Sequence, residues 1–137
     1  MAKRKKNLPR DTARTSFSVV CSGTYPGVNE WWLNSVGHKM SFARAYKRKY
    51  QNMIIHELTE FRKIRMYGAV QVTFKYYAPD TKRDKDNVSG FFRKIFLDAM
   101  VQVGIIANDT WRDIAGYTEL FYIDSVHPRI EVEVREV

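Results

Sequence analysis

An α/β (α+β) fold with two main helices in a single domain is predicted by three observations. Two long stretches carry apolar residues at helical spacing, several shorter ones alternate strictly, and turn-forming residues separate them. The 137 residues, 45% of them hydrophobic, suffice for one core and require no second domain.

Phe17, Val19 and Cys21 alternate with Ser16, Ser18 and Val20, which predicts a first strand ending in the turn-rich run Gly23-Thr24-Tyr25-Pro26-Gly27. From about 41 to 64, Phe42, Tyr46, Tyr50, Met53, Ile54, Leu58 and Phe61 recur at helical spacing, with Ser41 a candidate cap. Val70, Val72, Phe74 and Tyr76 then alternate with Gln71, Thr73, Lys75 and Tyr77, as in a strand with one buried face. Ala78-Pro79-Asp80 breaks that strand, and a second helix is predicted from about Lys85 to Val103, stopped by Gly104. Its apolar stripe is Val88, Phe92, Ile95, Ala99 and Val103. Asn87, Lys94 and Asp98, at offsets of seven and eleven, fall within about 20° of one line at ~100° per residue. Two more strands are predicted over 116–123 and 129–137, the last from the alternation of Ile130, Val132 and Val134 with Glu131, Glu133 and Arg135.

A net charge of +8 and a pI near 9.7 suit a polyanionic partner. The single Cys21 excludes an internal disulfide framework and a Cys-rich zinc site, and three scattered histidines supply no ligand spacing. No apolar run is long enough to span a membrane, and the basic start is not followed by a signal-peptide core, so a cytoplasmic protein without membrane association is expected. Residues 1–15 are expected to form a flexible basic arm, with Lys3, Arg4, Lys5, Lys6, Arg10 and Arg14 against Asp11 alone. A second basic block, Lys39, Arg44, Lys47, Arg48 and Lys49, is interleaved with Phe42, Tyr46 and Tyr50. It is either a phosphate-contacting helix with aromatic anchors or a solvated helix whose aromatics face the core. Lys82, Arg83 and Lys85 add a third basic group, whereas the mixed charge from Asp113 onward reads as scaffold.

Within this basic chain, Asp84 and Asp86 flank Lys85 at the strand-to-helix junction, and Asp109 follows the helix on a loop. Mg²⁺, or Mn²⁺ in its place, takes oxygen ligands and keeps several waters, so two or three such carboxylates suffice to hold it against a phosphodiester. Lys94 is a candidate phosphate contact, with Asp98 placed to orient it through an i,i+4 pair and Asn87 in support. Asp84 and Asp86 converge only if the helix starts near Asp86, because a continuous helix would splay them by about 200°. Taken singly, the same residues are consistent with helix capping, a surface ion pair and turn chemistry at Asn108-Asp109. A metal-dependent nuclease and a non-catalytic nucleic-acid-binding protein therefore both remain open, and no organic cofactor is expected.

Asp84-Lys85-Asp86-Asn87, then Lys94-x-x-x-Asp98, Gly104-Ile105 and Asn108-Asp109, resembles the signature of the RusA-type Holliday junction resolvases of phages and prophages. Tyr25-Pro26-Gly27-Val28-Asn29 is similar to the Pro-x-x-Asn stretch near that family's first strand, and with Pro128-Arg129-Ile130-Glu131-Val132 the resemblance spans most of 17–137. It implies a small mixed sheet, a homodimer in a bacterial or phage-infected cell, and Mg²⁺- or Mn²⁺-dependent paired nicking of branched DNA at four-way junctions. It places Asp84, Asp86 and Asp109 on the family's catalytic, metal-binding aspartates and Lys94 on its lysine. Two departures stand out. Lys94 follows Asp86 by eight residues rather than four, with Gly90 at the four-residue position, and Asn108 stands where the family often has a second acid.

A two-fold symmetric junction cut on two strands calls for two active sites related by the same operator, which a C2 dimer supplies. Trp31, Trp32, Phe91, Phe96, Trp111 and Tyr117 are candidates for the interface or for the core. Flaps and replication forks are alternative branched substrates for the same aspartates.

Overall fold

The computed structural model describes residues 15–30 and 40–137. The elements run β1 (Ser16–Ser22), α1 (Met40–Leu58), a 3₁₀ turn (Thr59–Phe61), β2 (Val70–Ala78), α2 (Lys85–Val103), β3 (Ile114–Ile123) and β4 (Arg129–Glu136). They form a four-stranded mixed sheet in the order β1-β4-β2-β3. β4 lies antiparallel between β1 and β2, and β3 is parallel to β2 across the crossover made by α2. This is the α/β (α+β) architecture with two main helices that the sequence predicts.

Register puts every buried strand residue on one face. Val132 pairs with both Val19 and Phe74, and Ile130 with both Cys21 and Tyr76, so the alternating apolar sets of three strands merge into one wall. The helices cover that wall with Ile54 and Leu58 from α1 and Phe92, Ile95, Phe96, Ala99 and Met100 from α2. Phe74 meets Phe92 and Phe96 edge-on, with centroids 6.2 and 5.7 Å apart, the arrangement that ring quadrupoles favour.

The predicted and observed elements differ at a few points. The first helix ends at Leu58 rather than 64. Phe61 keeps the helical period but instead stacks on Phe17 at 4.7 Å, and the tightened turn is closed by Arg62 N–H to Thr59 O and Ile64 N–H to Phe61 O. β3 begins at Ile114, two residues early, because a register shift between Val70 and Gln71 lets the strand continue past Ala115. Phe91 and Phe96 are buried, 5% and 0% exposed, so they belong to the core rather than to an interface. Trp111 is 99% exposed and Tyr117 about half exposed. Trp31, Trp32, Lys39, the side chain of Ser41 and Lys3, Arg4, Lys5 and Lys6 of the arm lie outside the described residues. Among the described residues, no helix is long and apolar enough to cross a membrane.

Phe92→Ala is expected to cost about 3–5 kcal/mol, through lost burial and the cavity left behind. Trp111→Ala should stay within about 0.5 kcal/mol. Chemical denaturation of both variants checks the ranking, and a reversal would contradict this packing.

Candidate active site

The β2–α2 junction sets the geometry of Asp84 and Asp86. Asp84 occupies the N-cap position in extended conformation (φ −66°, ψ 157°), and Lys85 is the first helical residue. The helix therefore starts where the convergence of Asp84 and Asp86 requires it to start. Asp84 accepts the Val88 N–H with its backbone carbonyl at 3.0 Å, but its carboxylate makes no capping hydrogen bond. Capping accordingly does not explain that side chain. Asp86 accepts the N–H of Asn87 at 3.0 Å, and both carboxylates are exposed.

A loop over residues 25–30 fastens this junction. Arg83 donates to the Tyr25 carbonyl at 2.8 Å and pairs with Glu30, while Asn87 Oδ1 accepts the Asn29 N–H at 2.8 Å. Two glycines make the approach possible. A Cβ at Gly27 would stand 2.6 Å from Asn87 Oδ1, and one at Gly90 would stand 2.5 Å from Val28 Cγ2. The glycine four residues after Asp86 thus has a packing cause, since a longer side chain there would displace the loop.

Further along α2 the described residues form a charged group. Lys94 Nζ lies 3.3 Å from Asp98 Oδ1 and 4.0 Å from Asp109 Oδ2, and Lys47 of α1 donates to Asp98 Oδ2 at 2.8 Å. The expected i,i+4 orientation of Lys94 by Asp98 is present. Asp109 is returned to this face because Gly104, at φ 91°, caps α2 with its N–H on Met100 O and Val101 O. The Met66 N–H then bonds Ile105 O at 2.8 Å and pins the following segment. Burial pushes the Asp98 carboxyl up, but the hydrogen bond and charge of Lys47, with those of Lys94, outweigh it and hold the carboxyl below its usual range.

The expected convergence of Asp84, Asp86 and Asp109 on one ion is not formed. Among the described residues, no group of three or more His, Cys, Asp or Glu side chains is placed to hold a metal. Asp109 instead sits 4.0 Å from Lys94 Nζ. The donor set at the junction is two carboxylates, which fits Mg²⁺ completed by waters and substrate phosphate oxygens.

The basic block on α1 divides in two. Arg44, Arg48 and Lys49 are exposed, but Lys47 is committed to Asp98. Tyr46 and Tyr50 point inward, with ring centroids 6.3 and 6.1 Å from Phe91, so these two face the core rather than serving as anchors, and the side chain of Phe42 lies outside the described residues. Lys82 and Lys85 are exposed beside the two aspartates. One network carried no sequence signal. Arg93 donates to both carboxylate oxygens of Glu119 at 2.9 Å, Glu119 accepts the Tyr76 hydroxyl at 2.8 Å, and together they tie α2 to β2 and β3. Burial first, then Glu119, raises the Tyr76 phenol far above its usual range.

Because the folded state depresses the Asp98 carboxyl, its stabilisation is complete above the unfolded value of about 3.9 and is lost as pH falls below it. Asp98→Asn should cost about 1 kcal/mol at neutral pH, the scale of a partly exposed ion pair. The gap from the parent should close in acid, as read by denaturation at a series of pH values. A gap independent of pH would contradict the assignment.

No protein-family model matches the chain, and no curated protein does either.

Proposed function

We propose that the chain is a metal-dependent endonuclease that nicks branched DNA, four-way junctions above all, as a homodimer in the cytoplasm of a bacterial or phage-infected cell. The observation that carries the proposal is the Asp84 carboxylate. It stands at a helix N-cap without capping, beside Asp86 and exposed lysines, in a chain of net charge +8. The step from nuclease to four-way junction is supported by the resemblance to the RusA-type resolvases, and the dimer by the symmetry of that substrate.

Asp84 and Asp86 would hold Mg²⁺ or Mn²⁺, which when bound activates water and offsets charge on the phosphodiester. Lys94 donates to a phosphate oxygen. Its two acidic neighbours, Asp98 and Asp109, limit where it can point. Arg44, Arg48, Lys49, Lys82 and Lys85 contact the DNA backbone without reading sequence. Asp109, 4.0 Å from Lys94 Nζ, acts here through Lys94 rather than as a ligand shared with the junction pair.

Non-catalytic DNA binding is the second possibility, since Asp84 and Asp86 are also exposed charges at a helix start in a basic chain. Asp86→Asn separates the two possibilities. In a nuclease it should lower the cleavage rate of a four-way junction in Mg²⁺ by about 100-fold or more, while binding in chelator holds or tightens because negative charge has been removed near phosphate. Full metal-dependent cleavage by Asp86→Asn would overturn the site. A parent protein that binds junctions but never cleaves them would overturn the nuclease proposal.

A further inference from the structure

Beside Asp84 and Asp86 lies a groove of about 740 Å³ for which phosphodiester hydrolysis has no evident use. Its size falls within the ~300–1,000 Å³ typical of sites for small organic groups. It arises from topology. β2 and β3 run parallel and α2 begins at their C-terminal ends, so the last residues of β3 on the helix side, Phe121 and Ile123, reach past the helix cover. Ile123 is 56% exposed, and Val88 closes the wall from the first turns of α2.

The groove offers a flat π surface under an exposed cation. Phe121 stacks on the buried Tyr76 ring with centroids 5.1 Å apart at 16°, and that backing fixes its plane. Lys85 Nζ stands 5.9 Å from the Phe121 centroid on an exposed side chain that can swing aside. Arg83 and Lys85 line the same groove as Asp84 and Asp86, so an occupant meets apolar and aromatic surface and positive charge within one site. A nucleotide combines a flat base with an anionic phosphate and matches both.

We infer that this groove receives one unstacked nucleobase of branched DNA, lying on Phe121, with its phosphate drawn toward Lys85 and so beside Asp84 and Asp86. The inference rests on the nuclease proposal for why a phosphate should be brought there. Bases at a branch point lose less stacking and pairing on extrusion than bases inside a duplex. The groove therefore discriminates branched from linear DNA at the residues nearest the aspartates, and because every base has a π face it does so without sequence preference.

The test uses the full chain in chelator, with a four-way junction and a matched linear duplex carrying 5-iododeoxyuridine at, or away from, the crossover. Irradiation and peptide mapping should place the adduct within residues 114–123, for the crossover nucleotide alone. Phe121→Ala should weaken junction binding about tenfold and linear duplex binding far less. Phe121→Trp should restore it. Ile123→Asp, at an exposed position where folding is not at stake, should weaken junction binding in the same selective way. Adducts confined to other segments, or equal junction affinity in all variants, would overturn the inference. Because no cleavage is needed, the two proposals fail separately. Adducts at 114–123 in a protein that never cuts in Mg²⁺ refute the nuclease alone, and cutting with adducts elsewhere refutes the groove alone.

Discussion

The edge-on packing of Phe92 and Phe96 against Phe74 fixes the rotation of α2 about its axis, and the chemistry follows from that rotation. With those two rings buried on the sheet, a residue two positions from Phe92 is turned about 200° away. Lys94 is that residue, and Asp98 lies one turn further on the same side. The hydrophobic effect acting on one face of the helix thereby aims the polar line of the other, with no special interaction needed to orient it.

The loop over residues 25–30 adds a second constraint that the helix alone would not impose. Val28 lies so close to α2 that Gly90 cannot carry a side chain without moving it, and Gly27 is held as tightly against Asn87. A side chain four residues after Asp86 would therefore have to displace Val28. The next turn, at Lys94, recovers nearly the same direction, since four residues rotate the helix by only about 40°. The cost is distance. Asp109 pairs with Lys94, so the acidic residues separate into a junction pair and a lysine-bound pair instead of closing into one group.

Much of this was legible in the sequence because it depends on local signals. Strict alternation gave β2 and β4 almost to the residue, and Gly104 marked the end of α2 through its positive φ. The end of α1 was hidden, because Phe61 continues the helical period and only its long-range contact with Phe17 shows why the helix stops. Phe91 and Phe96 could not be assigned to core or interface from their identity, since aromatics are favoured in both. The orientation of Tyr46 and Tyr50 was equally undetermined until α2 was in place to receive them. At the site, Asp84, Asp86, Lys94 and Asp98 were legible from spacing within one element. The Arg93–Glu119–Tyr76 network and the Phe121 groove were not, because each depends on how β3 sits beside β2.

The most direct measurement is to map the cuts that the purified protein makes on all four strands of a labelled four-way junction and on a matched linear duplex, in Mg²⁺ and in chelator. Paired cuts placed symmetrically about the crossover, confined to the junction and abolished by chelator, are the expected result. Binding without cleavage under every metal condition would contradict it and return Asp84 and Asp86 to the role of surface charges at a helix start.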